Sequence, residues 1–537
     1  MKSVTVVGSG PSGVHFALGL LKRGLAVHLI DAGLEGARAV ARDATASGLK
    51  SVLEDPIDYF LGRDLYGLAL PGADGELYGF PPQKQFVFER PEGLEETSRG
   101  FEPLSSWAAG GLARAWTAGV YPFTEEELAE FTFGFQDLLP HYEEVADRIG
   151  VIGEHDDLSS FMPWHAGIDA PLRLDATSAS LLGRYAKART RLRTKLGCHV
   201  GRSRLAVLSR DRLDRQGCGY LNRCLWGCPV GALYTPDMTL EQCRRYDGFT
   251  YEPGLLAEAF DLDENRRATR LRVRRLDGGG EEHRPVEELA LATGTLSTAR
   301  LFLTSWLEAT GERPALEGLM DNRQVLVPFV HLPRVGRRFE DSAYQYHQLS
   351  MGLPGDAPEE YVHGQITTLT SAQAHPIMET MPFDLRTAGY VFRNARAALG
   401  LVNLNFHDRR RETCKVSIDP PGARESDPPV LRATYVPPDD EPRRIRDALK
   451  RTKRSLRALG CVVAPGATHV RPMGASVHYA GTLPMTREKR PFTVTPECRS
   501  RDVENLLVVD GSTFPFLPAK NITFSLMANA ARIAAAF

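Results

Sequence analysis

The sequence predicts an α/β fold in which a Rossmann-like nucleotide-binding domain is joined to a second, mainly antiparallel-sheet (α+β) substrate domain. Three observations carry that expectation. The β-branched run Val4-Thr5-Val6-Val7 ends in Gly8-Ser9-Gly10-Pro11-Ser12-Gly13 and continues as apolar residues at helical spacing. Two further buried-type strands run into turns and helices far along the chain, around residues 288–305 and 505–537. Between about residues 320 and 464 apolar and polar residues alternate, as in Leu401-Val402-Asn403-Leu404-Asn405-Phe406, the pattern of strands with one buried face.

The first unit reads as strand, tight turn and helix, with Phe16, Leu20 and Leu21 on the helix, followed by a second strand, Ala26 to Ile30, closing at Asp31. Such a βαβ unit connects right-handed, and the opening stretch is therefore a nucleotide-binding half. Residues from about 36 to 103 are mixed in charge, rich in Pro and Gly and without a sustained period, so they read as excursions from that unit. Further on, Glu288-Leu289-Ala290-Leu291-Ala292-Thr293-Gly294 is a strand and turn, followed by a helix-like segment from Ser297 to Ser305. At the far end, Asn505-Leu506-Leu507-Val508-Val509-Asp510-Gly511 is another strand and turn, and Ile522 to Phe537 is a small-residue helix suited to close packing. The expected division is a discontinuous nucleotide-binding domain over residues 1–35, 100–125, 195–315 and 465–537. Residues 36–99 and 320–464 form the second domain and its excursions, and 126–194 a connecting helical segment.

Composition narrows the function classes. The 537 residues are 42% hydrophobic and 25% charged, the balance of a globular protein with a sizeable core. Lys+Arg 65 against Asp+Glu 67 leaves a formal net charge of -2, which supplies no field to hold nucleic acid or an anionic membrane. No run approaches the roughly 18 apolar residues needed to cross a bilayer. The N-terminal apolar residues are broken by Gly8, Ser9, Gly10 and Gly13 rather than forming a leader, so the expectation is a cytoplasmic chain without membrane insertion. Eight cysteines are too few for a disulfide scaffold, and reduced thiols are the default.

The spacing Gly8-x-Gly10-x-x-Gly13 lets the chain turn tightly, lets backbone approach a pyrophosphate, and lets the helix pack on its strand. Ser9 lies within this turn, the helix N-terminus faces the negative charge, and Asp31 stands about twenty residues on, placed to accept from ribose hydroxyls. Together these features form a Rossmann-type dinucleotide site, with FAD and NAD both open at this point.

The ending from Asn505 to Ser512, then Phe514-Pro515, Pro518-Ala519-Lys520-Asn521-Ile522-Thr523 and Ala528 to Ala531, resembles the C-terminal signature of the glucose-methanol-choline (GMC) oxidoreductases. Ser476-Val477-His478-Tyr479-Ala480-Gly481-Thr482-Leu483-Pro484-Met485 is similar to that family's catalytic-histidine segment. Gly110-Gly111-Leu112-Ala113-Arg114-Ala115-Trp116 is similar to its glycine-rich loop along the flavin, and Leu291-Ala292-Thr293-Gly294-Thr295 completes a likeness that spans the chain. The resemblance implies FAD as cofactor, held at Gly8, Ser9, Gly10, Gly13, Asp31, Gly110, Gly111, Thr293, Gly294, Asp510, Gly511 and Thr523. It implies His478 as the base that takes a hydroxyl proton, a task suited to a neutral imidazole. Asn521 matches the family position beside that base, and as the residue before a helix it could also cap it. Lys520 and Ile522 depart from the family, where a small residue and a proline are usual. Some members attach FAD through a histidine of the glycine-rich loop; Ala115 stands at that position here, so FAD is expected to be noncovalent.

Cys218-x5-Cys224-x3-Cys228-Pro229 is the feature that a plain flavoenzyme does not need. Three thiolates this close can ligate an iron-sulfur cluster, and the spacing resembles that of bacterial FAD-dependent glucose dehydrogenases, which carry a three-iron 3Fe-4S cluster. A structural cysteine loop is the preferred alternative, and a zinc site would need a fourth ligand such as Cys243. The expected reaction is oxidation of an alcohol on a small molecule, such as a sugar or a glycosylated compound. Electrons would pass to oxygen, a quinone or an accepting protein. The rivals are a family member with altered chemistry, desaturation or ring formation, and a noncatalytic flavin-binding subunit.

Overall fold

A computed structural model describes every residue except 1, 37–39, 41–42, 63–64, 66–80, 213, 370–377, 379–380 and 420–428. The stretch 66–80 of the expected excursion 36–99, and 420–428 of the second domain, thus lie outside the described residues.

Five short strands, Leu506–Val508, Glu288–Leu291, Ser3–Val7, Ala26–Ile30 and Phe249–Glu252, lie side by side in that order. All four pairings are parallel. Glu288–Leu291 and Leu506–Val508 are buried along their whole length, as expected of parallel strands covered on both faces. Helix Pro11–Lys22 follows the first strand and packs along the C-terminal helix Thr523–Ala536. The closeness of that contact rests on glycine: a Cβ on Gly19 would lie 2.6 Å from Ala534 Cβ. Segments hundreds of residues apart therefore build one sheet, because parallel neighbours cannot be joined by hairpins.

The second sheet is antiparallel, in the order Cys461–Val462, Gln324–His331, Leu399–Asn405, Val362–Thr368, Leu349–Leu353 and His199–Arg202, with His469–Val470 also pairing on Gln324–His331. Its alternation separates two faces. Val325, Val327, Val402, Leu404, Ile366, Leu349 and Met351 pack in one apolar cluster with Leu181, Tyr185 and Leu192 of helix Ala176–Leu196 and Leu456 of helix Glu441–Ala458. The opposite face carries Gln324, Ser350, His363, Gln365, Asn403 and Asn405, brought level by the register Ser350↔Gln365↔Asn403 and His363↔Asn405.

Two strands cross the boundaries expected from the sequence. His199–Arg202, expected in the nucleotide-binding domain, is an edge strand of the antiparallel sheet, and His469–Val470 joins it as well. The expected connecting segment is also divided. Helix Phe135–Ile149 packs on the C-terminal helix, while Ala176–Leu196 covers the antiparallel sheet. These short strands carry no alternation of their own, and only their pairing reveals which sheet they serve.

Candidate active site

The turn after the first strand is shaped by close approach. A Cβ on Gly8, where φ is +101°, would lie 2.7 Å from Ala292 O, and one on Gly13 would lie 1.9 Å from Gly8 O. At Gly10 a Cβ would meet nothing within 4 Å, so this position opens on free space at the N-terminus of helix Pro11–Lys22. That helix has no side-chain cap, which leaves its first N–H groups to an outside acceptor. The second glycine pair lies against the first: Gly110 and Gly111 both have positive φ, and a Cβ on Gly111 would be 3.5 Å from Gly10 Cα. Ser9 ties the pieces together, since its Oγ accepts from Gly110 N–H at 2.9 Å and donates to Asp31. Burial pushes the Asp31 carboxyl up to about 6, partly opposed by the Ser9 hydroxyl.

At the next strand end, Asp510 accepts from Gly294 N–H at 2.9 Å, Thr298 Oγ1 at 2.5 Å and Ser512 N–H at 3.0 Å. Thr293 Oγ1 lies 2.8 Å from Thr298 Oγ1, and Gly294 also opens on free space. Gly511 packs under the segment that carries the histidine, where a Cβ would lie 2.5 Å from Tyr479 O. Thr523 is the first residue of the C-terminal helix, whose N-terminus likewise lacks a side-chain cap. Two uncapped helix ends, two open glycines and a buried carboxylate fit an elongated dinucleotide with an anionic middle. Ala115 is buried and offers no nucleophile to it.

His478 sits on a loop anchored by Asp321. That buried carboxylate accepts from Gly474 N–H at 2.7 Å and from the Ser476 hydroxyl, and His478 N–H donates to Ser476 Oγ at 3.1 Å. Val477, just before the histidine, holds φ +58°, a left-handed conformation that costs a β-branched residue roughly 1–2 kcal/mol. The loop is therefore fixed by its anchors against local preference.

The imidazole is gripped at both nitrogens. Nδ1 lies 3.1 Å from Asn322 Oδ1, and Nε2 lies 3.2 Å from Asn521 Nδ2. The Asn322 amide cannot turn over, because its Nδ2 donates to Phe406 O at 2.8 Å and Pro518 O at 2.9 Å. Its oxygen must face Nδ1, so Nδ1 carries the proton and Nε2 the lone pair. Asn521 is aligned in turn by Gln365, whose Nε2 donates to Asn521 Oδ1 at 2.5 Å. The capping role expected for Asn521 is not seen: Ile522 is the N-cap residue and no side chain caps the helix. Burial, with a smaller contribution from the Arg471 charge, pushes the His478 imidazole down to about 4.

Lys520, one of the two departures from the resembled pattern, is fully buried and paired with Glu127 at 2.5 Å, its ammonium also donating to Pro122 O at 2.9 Å. A buried lysine needs such a partner, and the sequence offered no hint of which acid it would be. Asn322, Gln365 and Asp321 were likewise not foreseen. The one signal was the polar run Asp321-Asn322-Arg323-Gln324 at the head of an otherwise apolar strand.

The cysteine loop gives the cluster expectation no support. Among the described residues no group of three His, Cys, Asp or Glu side chains is arranged to hold a metal ion. Cys243, the fourth ligand that a zinc site would need, instead turns its thiol toward Val14 O at 3.7 Å inside the core. Burial pushes the Cys218 thiol up to about 11, and Cys224 also rises.

A family model described as GMC oxidoreductase matches residues 410–530. A 2-methyl-1,2-propanediol dehydrogenase of Mycolicibacterium austroafricanum is 23% identical over 577 positions, covering 98% of this chain and 94% of that protein. Among solved structures, pyridoxine 4-oxidase from Mesorbium loti has a TM-score of 0.62 at 18% identity, covering 100% of this chain and 99% of that one. A formate oxidase of Aspergillus oryzae RIB40 has a TM-score of 0.60 at 12% identity, covering 99% of this chain and 98% of that one. At such identities the solved structures speak for the shared fold alone, a Rossmann-like α/β domain beside an antiparallel one.

Proposed function

We propose that this chain, which belongs to the GMC oxidoreductases and is an FAD-dependent oxidoreductase acting on alcohol groups, takes the hydroxyl proton of its substrate on His478 Nε2. The observation that carries the reading is the fixed tautomer, with Nδ1–H held by Asn322 and the Nε2 lone pair facing Asn521. FAD, when bound, supplies the hydride acceptor. Gly8, Ser9, Gly10, Gly13 and Asp31 would hold its nucleotide half, with Gly110, Gly111, Thr293, Gly294, Asp510, Gly511 and Thr523 along the rest.

The chain's own contribution is protonic and orientational. Because the imidazole is held down to about 4, it is neutral, with Nε2 unprotonated, at any pH more than about one unit above that value. Asn521 Nδ2 donates toward the same point and can hold the substrate oxygen without competing for its proton, since an amide is no base. Gln365 keeps that amide from turning. The substrate is a sugar or a glycosylated small molecule in this reading, supported by the amide- and hydroxyl-bearing sheet face beside Asn521. The FAD is noncovalent, supported by Ala115.

Anaerobic mixing of the holoenzyme with a panel of primary and secondary alcohols and sugars tests the reading. Bleaching of the flavin by at least one of them is expected; a flavin that no alcohol reduces would defeat it.

A further inference from the structure

The antiparallel sheet turns a polar face toward Asn521, and two of its buried polar atoms have no partner among the described residues. His363 Nδ1 lies 2.9 Å from Tyr361 OH, yet its Nε2 is buried and unpartnered in a side chain of 0% exposure. Asn403 Oδ1 is also buried without a partner. An unmet polar atom in the interior costs roughly 1–3 kcal/mol, so two together on one face indicate a ligand that satisfies them. Both flank the residue that aligns the site. Gln365 is two positions along the strand from His363, on the same face, and directly opposite Asn403 in the register, and its amide holds Asn521.

The surroundings choose the ligand's chemistry. The Tyr121 ring lies 4.5 Å from that of His363, and its hydroxyl bonds His347 at 3.1 Å and Ser350 at 3.2 Å. These groups are uncharged: burial pushes His347 down to about 3, moves His363 the same way, and raises Tyr121 to about 12. The buried charges Lys520 and Glu127 pair with each other, and the buried Arg204 guanidinium, which acts on Tyr121, is spent on Pro163 O and Met162 O at 2.6 Å each. A carboxylate could only accept from this face and an ammonium could only donate to it. A hydroxyl does both, and it suits His363 in either tautomer as well as the Asn403 oxygen.

We propose that the sheet face bearing His363 and Asn403 is a subsite for a second hydroxyl of the substrate, so that the enzyme prefers neutral molecules with at least two hydroxyls over simple alcohols. The inference rests on the alcohol-oxidation reading above and names the substrate class that the same site takes. One hydroxyl faces His478 Nε2 and Asn521 Nδ2 together and is oxidised; the other sits on the sheet and sets the orientation of the carbon that loses hydride.

The test compares propan-1-ol with propane-1,2-diol, glycerol and glucose as reductants of the holoenzyme flavin under anaerobic conditions. A second readout is the change in oxidised-flavin absorbance when the polyols bind. Wild type should favour at least one polyol over propan-1-ol by about tenfold or more in kcat/KM. His363→Leu and Asn403→Leu should each weaken polyol binding and kcat/KM about tenfold and leave propan-1-ol within about threefold. His363→Gln, which keeps a hydrogen-bonding tip, should recover much of the loss and stands in if the leucine variant loses its flavin. No preference for polyols in wild type, or equal losses for mono- and polyhydroxy substrates in the variants, overturns the subsite while leaving alcohol oxidation standing. A wild-type flavin that neither polyols nor propan-1-ol reduce would instead overturn the alcohol reading, and the subsite with it.

Discussion

The two halves of the site are built from opposite materials. On the nucleotide side the work is done by main chain: Gly8, Gly10, Gly13, Gly110 and Gly294 shape strand ends and uncapped helix termini, with few side chains beyond Ser9, Asp31 and Asp510. On the side proposed to be catalytic it is done by side-chain amides, with Asn322 and Asn521 on the two nitrogens of His478 and Gln365 on Asn521. A backbone cradle fixes shape: a Cβ at Gly8 or Gly13 would strike main chain, and one at Gly10 or Gly294 would enter the space left open. An amide chain fixes proton positions, because each amide has a donor end and an acceptor end, and turning one over reverses the next.

Substitutions can break that contrast at either side. The largest effect is expected at Gly10. Its Cβ would touch nothing in the protein, so Gly10→Val should fold, melt near the wild-type temperature and yet purify without flavin, because the side chain fills the space left for the pyrophosphate. Normal flavin content would remove the cradle from this turn.

Next comes Asn322→Leu, which keeps the approximate volume but frees Nδ1. Flavin reduction should slow roughly ten- to hundredfold with FAD still bound, less than loss of the whole base would cause. Rates matching wild type would show that the tautomer is set by something else. A change in pH acts on the same atom. Since the imidazole sits at about 4, the proton-accepting form persists through neutral and mildly acidic solution, and flavin reduction should fall only as pH drops toward 4. An inflection near 6.5 would place the base in open solvent. The smallest effect is expected for Asn521→Ala, a slowing of roughly tenfold or less, because one amide donor is lost while Nε2 keeps its lone pair. A loss as deep as that expected for Asn322→Leu would move the centre of the network to Asn521.

The same contrast explains what the sequence disclosed. Backbone cradles leave a local trace, since glycine spacing after a β-branched run is dictated by the turn itself. The parallel sheet was legible on that basis, whereas His478 was singled out only by the resemblance of its Gly-Thr-x-x-Met context to a family segment. The amide partners were not: Asn322 is 156 residues from His478, as Gln365 is from Asn521, and no local periodicity records a side-chain bond made across two domains. Lys520 was visible as an oddity, but its partner Glu127, 393 residues away, was not. His199–Arg202 failed for a third reason: four residues containing His, Gly and Arg have no strand signature, and their place on the antiparallel sheet is imposed by the neighbouring strand.

The central claim is that His478 takes the substrate proton. The most direct measurement is stopped-flow flavin reduction under anaerobic conditions, comparing wild type with His478→Ala on an alcohol that reduces the wild-type enzyme. The account predicts a rate lower by roughly two to four orders of magnitude, with FAD content unchanged. An unchanged rate in a fully flavinated variant would contradict it and give the base to another residue.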